Sequence, residues 1–244
     1  MNCVKALKGG IGFFTQIPIG RDLESFENLR KNLWILPVVG LISGVLIAIP
    51  SYFLFALNIG FVAVIFYILV EGINHIDGLA DFGDAVFANK KFEALKDTKL
   101  GSGGAVFIIS YLLVLSFSFQ SLEFLGFEMI YAIILSQVCA KTAMLILLTT
   151  SKPLWDGLAK TMIEFASKKD LIVGVLLSIL IFVSTILINY KFSFFLSILF
   201  SSILLTAIYR YYVLKKFGGI NGDIVGALNC MVFAFSNLMF LILA

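Results

Sequence analysis

The chain has 244 residues, 60% of them hydrophobic and only 14% charged, with a mean hydropathy of +1.03 and a formal net charge of +3. Such values exclude an ordinary soluble domain and place the chain in a lipid bilayer. With so few charges, nucleic acid is not an expected partner.

The first twenty residues carry Lys5, Lys8, four glycines and Pro18, which break up an apolar leader, and no small-residue cleavage site follows. They are read as a retained amphipathic or re-entrant segment. Beyond them, runs of about 20 apolar residues suffice to cross a hydrocarbon core, and seven are found: roughly 33–50, 54–73, 103–119, 129–149, 171–189, 192–213 and 224–243. Pro50 and the short stretch 51–58 separate the first two. The expected fold is therefore an all-α, polytopic helical bundle of about seven transmembrane helices, one membrane-embedded domain over residues 1–244.

Sixteen of the 18 basic residues fall before the first span or after the second, fourth and sixth, leaving Lys191 on the other side and Lys141 inside the fourth span. The positive-inside rule then places the N-terminus in the cytoplasm and the C-terminus outside the cell membrane. The polar stretches at about 71–102, 151–170 and 215–223 all become cytoplasmic. Loops that long usually carry function.

The first of these stretches contains Asp77, Asp81 and Asp84 at i, i+4 and i+7, within about 60° of one another on a helix, with Asn74 extending the stripe. Three carboxylates that close repel and raise one another's pKa values unless a cation sits among them. Hard oxygen ligands suit Mg²⁺, which takes one or two carboxylates plus substrate phosphate oxygens. At the end of a membrane span, acidic residues would also oppose the helix dipole, so a merely solvated stripe is the weaker reading.

The segment Lys96–Val106 follows, offering Asp97 as a further ligand and Lys99 as a point charge for phosphate. Gly101, Gly103 and Gly104 let backbone amides approach an anion where the next span begins. Near the C-terminus, GGINGDIVGA at 218–227 supplies Asp223, either a metal ligand or the N-cap of the last span. His75, the only histidine, points away from the acidic stripe and suits hydrogen bonding better than metal ligation. Trp34 and Trp155, near span ends, read as interfacial anchors. Cys3, Cys139 and Cys230 imply no disulfide framework.

These motifs, in order, resemble those of the cobalamin synthase family, the adenosylcobinamide-GDP ribazoletransferases. FFTQIPIG at 13–20, LPVVGLISG at 36–44, HIDGLADFGDAVF at 75–87, KDTKLGSGGA at 96–105 and GGINGDIVGA at 218–227 carry the resemblance over nearly the full chain. Three places depart from the family's pattern. Asn221 stands where a threonine precedes Gly-Asp, Asn229 and Cys230 occupy the region of an expected glutamate, and Lys141 stands for a mid-chain arginine.

The resemblance implies transfer of adenosylcobinamide phosphate from adenosylcobinamide-GDP to the ribose 3'-hydroxyl of α-ribazole or its 5'-phosphate, with release of GMP. It implies Mg²⁺ as cofactor, with Asp77, Asp81, Asp84, Asp97 and Asp223 as candidate ligands. Asp84, Asp81 and Lys99 are the candidate catalytic residues, Asp84 serving as ligand or base. Asn74, Gly101, Gly103 and Gly104 would line the nucleotide site, the glycine loop holding the GMP phosphate with Lys99. A homo-oligomer is compatible with all of this. The rival readings are an intramembrane Mg²⁺-dependent prenyltransferase, a CDP-alcohol-type phosphotransferase, and a secondary transporter built around Lys141.

Overall fold

The structure is a computed structural model that describes residues 2–188 and 194–243. Lys191, the basic residue assigned to the far side, and the adjoining edges of the spans expected at 171–189 and 192–213 lie outside the described residues. In chain order the helices are α1 (Cys3–Phe14), α2 (Leu23–Arg30), α3 (Leu36–Ala56), α4 (Val64–Glu71), α5 (Asn74–Phe87), α6 (Lys91–Ala94), α7 (Ser102–Leu122), α8 (Met129–Thr150), α9 (Leu158–Ile163), α10 (Lys168–Ile188), α11 (Phe195–Lys216) and α12 (Gly222–Leu243). No strand forms among the described residues, and the one β-bridge joins Pro153 to Ile220.

Among the described residues, five helical stretches are long and apolar enough to cross a membrane: Leu33–Ala56, Ser102–Thr150, Lys168–Ile188, Phe195–Lys216 and Gly222–Leu243. The second of these has 49 residues. At about 1.5 Å per residue it would reach more than twice a bilayer core of about 30 Å. Gly126, with φ 56° and ψ −129°, divides it into α7 and α8, each long enough to cross on its own.

Two expectations about the first spans are corrected. The first span does not end at Pro50, because α3 runs on to Ala56. A proline inside a bilayer helix is tolerated where neighbouring hydroxyls satisfy nearby carbonyls, and Ser51 Oγ donates to Ile47 O at 2.6 Å. The second span is not one helix over 54–73: a 3₁₀ turn at Gly60–Ala63 leads into α4, and α5 departs from that pair at 98°. Gly72 makes the bend with φ 81°, a conformation open to glycine, and a Cβ there would lie 2.3 Å from the Gln16 side chain. The acidic stripe consequently lies beyond the bend rather than on the same straight helix as the apolar run. It occupies α5, with Asp77 in the first turn, where the helix dipole favours a negative charge.

The N-terminal segment forms a helical hairpin, α1 packing on α2. Gln16 N donates to Val70 O at 2.8 Å, tying its end to α4.

Burial separates inner from outer helices. The apolar window of α12 is 72% buried, against 22% for that of α10. α12 packs on α5, α7, α8 and α11, and α3 packs closely along α8. Gly40 and Gly44 permit that approach: a Cβ at either would come within 2.7 Å of the α8 backbone at Gln137 or Ile134, the small-residue packing typical of membrane helices. The outer helices expose large apolar stripes, such as Val106, Ile109, Leu113 and Phe117 on α7 and Leu196, Phe200, Leu204 and Ile208 on α11. Spaced three or four residues apart, these exposed stripes are of the kind that membrane helices turn to lipid.

Candidate active site

The acidic residues gather at the end of the bundle where α7 and α12 begin and α8 ends. α5 lies across that end. Gly78 seats it on α12, since a Cβ there would stand 2.8 Å from the Asp223 backbone. Lys216 Nζ donates to Val86 O at 2.5 Å, holding the C-terminal end of α5 to the end of α11, and Lys91 Nζ donates to Lys216 O, holding α6 to the same helix end.

This docking brings Asp223 beside the α5 stripe. Burial first, then the charges of Asp223, Asp77, Asp84 and Asp97, push the pKa of Asp81 up to about 7. Four aspartates separated in sequence thus act on Asp81 in space. Among the described residues, no group of three or more His, Cys, Asp or Glu side chains is arranged to hold a metal ion on its own. The donor set nevertheless fits a hard divalent cation. Asp77 and Asp223 line the same cavity, and Mg²⁺ completes its shell from water and substrate oxygens rather than from an all-protein cage.

Asp84 has a different position from its stripe neighbours. Its Oδ2 accepts from Gly101 N and its Oδ1 from Gly104 N, each at 2.8 Å. The amides expected to cradle a phosphate are therefore occupied by a carboxylate of the chain itself. A Cβ at Gly101 would lie 2.4 Å from Asp84 Oδ1, and one at Gly103 would lie 2.7 Å from Gly83 O. The three glycines serve the contact between α5 and α7.

Two cavities open beside the cluster. The larger, about 470 Å³, is lined on its apolar side by Phe13, Phe14, Met144, Leu148 and Met162 and on its polar side by Asn74, His75, Asp77 and Asp223. The smaller, about 360 Å³, is lined by Leu95, Lys96, Trp155, Asn221 and others. Leu158, Ala159, Gly222 and Asp223 border both. Asp97 and Lys99 border neither: Asp97 Oδ1 accepts from Lys99 N at 3.1 Å in an exposed turn.

The start of α12 also differs from expectation. Asn221, rather than Asp223, caps it: Ile224 N donates to Asn221 Oδ1 at 3.1 Å, while Asn221 Nδ2 donates to Asp223 Oδ2 at 2.6 Å. Asp223 is left in the first turn, partly exposed to the cavities.

Below the site lies a buried polar network that sequence patterns do not mark. Lys141 Nζ donates to Glu71 Oε2 at 2.5 Å and to Asn229 Oδ1 at 3.0 Å, and Asn229 Nδ2 donates to Glu71 Oε2 at 3.2 Å. These join α4, α8 and α12 where an unpaired charge would be costly. Lys141 and Asn229, two of the positions that depart from the resembled pattern, are thus direct partners. Lys141 is closed in an ion pair with Glu71. His75 Nε2 lies 3.7 Å from Glu71 Oε2 and donates to Phe14 O at 3.2 Å, so the histidine hydrogen-bonds as expected and anchors α1.

The model of the cobalamin-5-phosphate synthase family matches residues 6–241. The chain belongs to that family. Two Archaeoglobus fulgidus proteins named adenosylcobinamide-GDP ribazoletransferase are 43% and 39% identical to it, over 98% and 96% of this chain and 97% and 95% of their own lengths. A Methanosarcina mazei protein of the same name is 32% identical over 92% of this chain and 87% of its own. No solved structure matches. Within this cobalamin-5-phosphate synthase family member, the HIDGLADFGDAVF block forms α5 and the GGINGDIVGA block forms the start of α12, so the motifs that carry the resemblance meet at Asp77, Asp81 and Asp223.

Proposed function

We propose that this chain catalyses the reaction its relatives are named for: transfer of adenosylcobinamide phosphate from adenosylcobinamide-GDP to α-ribazole or its 5'-phosphate. The ribose hydroxyl oxygen attacks the corrinoid-side phosphorus, the bond from that phosphorus to the GMP oxygen breaks, GMP leaves with the electron pair, and the hydroxyl proton passes to a carboxylate. One observation supports this most directly. In this family member, Asp77 and Asp223 converge from two helices on one cavity wall, and burial, followed by their charges, raises the nearby Asp81 toward neutrality.

The cofactor we propose is Mg²⁺, held by Asp77 and Asp81, one helical turn apart on α5. Bound there, it would supply charge neutralisation for the pyrophosphate. Asp223, which borders both cavities, is placed to take the hydroxyl proton. Asp84 fixes α5 against α7, and Asn221 orients Asp223 through its side-chain amide. Asn74 and His75 line the larger cavity and orient the bound substrate, while the apolar wall opposite excludes water.

We further propose that the site faces the cytoplasm, with the N-terminus on the same side and the C-terminus outside. The distribution of lysine and arginine supports this. The test of function is incubation of the purified protein with adenosylcobinamide-GDP, α-ribazole and Mg²⁺. Formation of cobalamin with equimolar GMP is expected. Absence of both products from active-site-intact, folded protein would reject the reading.

A further inference from the structure

The two cavities differ in the chemistry of their walls. The larger presents carboxylates, an amide, a histidine and a broad apolar surface, with no lysine or arginine among its lining residues. The smaller presents Lys96 and the indole of Trp155. Lys96 Nζ stands 4.9 Å from the Trp155 ring centroid, and among the described residues it makes no ion pair. An ammonium without a counter-ion, lying over a partly exposed indole ring, is a pairing suited to a phosphate attached to a flat base.

The Trp155 platform is firmly placed. Leu154 N donates to Ile220 O at 2.8 Å and Ile220 N donates to Lys152 O at 2.9 Å. Gly219 allows this pairing, because a Cβ there would sit 2.8 Å from Pro153 O. The segment carrying Trp155 is thereby joined to the segment that leads through Asn221 to Asp223. Platform and carboxylate are parts of one unit, and Asp223 borders both cavities.

We propose that the smaller cavity is the guanine-nucleotide subsite, with Trp155 stacking on the base and Lys96 paired to the phosphate, and that the larger cavity takes the aromatic riboside acceptor. This rests on the transfer reaction given above and divides its two substrates between the two cavities. A transfer of this kind needs donor and acceptor to reach one phosphorus from opposite directions, and the shared rim at Gly222 and Asp223 is where occupants of the two cavities meet. The anionic nucleotide goes to the cavity that has a cation, and the uncharged apolar base goes to the cavity that has none. Both volumes lie in the range of small-molecule sites.

GMP and α-ribazole serve as separate probes, with binding read by equilibrium dialysis and by tryptophan fluorescence excited at the red edge of indole absorption, where guanine does not absorb. GMP should quench the fluorescence saturably, and the quench should vanish in Trp155→Phe, which retains Trp34. Lys96→Ala and Trp155→Ala should each raise the GMP Kd about tenfold or more, the scale of a charge-assisted hydrogen bond or a stacked base, and leave the α-ribazole Kd unchanged. Lys96→Arg should recover most of the affinity. Quenching of Trp155 by α-ribazole but not by GMP, or an unchanged GMP Kd in folded Lys96→Ala, would overturn the assignment. Cobalamin formation is measured on the same protein. If product forms but GMP never senses Trp155, the subsite fails and the reaction stands; if GMP binds at Trp155 but no product forms, the reaction fails instead.

Discussion

Asp84 accepts the Gly101 amide at 2.8 Å and with its other oxygen accepts the Gly104 amide, so one carboxylate from α5 closes the open N-terminus of α7. Removing an N-terminal cap costs about 1 kcal/mol, up to about 2 in unfavourable cases. Asp84→Ala, which orphans both amides, should lower the thermal unfolding midpoint clearly, and Asp84→Asn, which keeps one acceptor, should lower it less. The Mg²⁺ concentration giving half-maximal activity should move little in Asp84→Asn. If it rises as far as in Asp77→Asn, then Asp84 is a metal ligand and not an anchor between helices.

The Lys141–Glu71 pair makes a second prediction, on stability alone. Lys141→Met leaves Glu71 buried without a counter-charge, and breaking such a pair from one side costs about 3–5 kcal/mol. The double variant Lys141→Met with Glu71→Gln removes both charges and should regain much of the loss. Thermal unfolding of the detergent-solubilised protein measures this. A double variant no more stable than the single one would mean the pair contributes packing that methionine and glutamine cannot replace.

The legible and illegible parts of this molecule divide by distance along the chain. Asp77 and Asp81 were visible because a helix repeats every turn, and the long spans were visible because a run of about 20 apolar residues needs no tertiary context to be read. Hydropathy averaged over a span length cannot register the single positive φ at Gly72, so the acidic stripe was expected to continue straight from the end of the span at 54–73. The glycines at 101, 103 and 104 announced an anion at a helix start, but composition does not say whether that anion is a phosphate or Asp84, 17 residues away from Gly101. Glu71 and Lys141 are 70 residues apart, and no local pattern joins them. Lys99 was read as a charge for phosphate from its place beside the glycines, and nothing local showed that Lys96 would lie over the Trp155 ring.

Orientation in the membrane is testable with single cysteines in a background lacking Cys3, Cys139 and Cys230. Asn89 and Lys169 are exposed near the proposed cytoplasmic site, and Phe124 is exposed beside the turn between α7 and α8. Asn89→Cys and Lys169→Cys should react with an impermeant maleimide only when the cytoplasmic face is open to it, and Phe124→Cys should react from outside intact cells. Phe124 is preferred to Gly126, whose φ of 56° would strain any replacement. Labelling of Asn89 and Phe124 from the same side would contradict a full crossing by α7.

The carboxylate pair on α5 carries the most exacting prediction. If Asp77 and Asp81 hold a divalent cation against substrate phosphates, each loses a formal charge in Asp77→Asn and Asp81→Asn while keeping its size, so the fold should persist. Loss of one such electrostatic contact lowers turnover by about a hundredfold to a thousandfold. Chelation should abolish activity in the unaltered protein, and Mg²⁺ should restore it. Ca²⁺ should restore it less well, because its longer bonds and looser geometry do not reproduce octahedral coordination. Raised Mg²⁺ should recover part of the activity of Asp77→Asn, whose cavity also holds Asp223, by offsetting weakened affinity through mass action. The measurement is cobalamin formation against Mg²⁺ concentration for each variant. Activity that survives chelation, or near-normal turnover in both variants at saturating Mg²⁺, would show that the crowding of these aspartates serves something other than a cation.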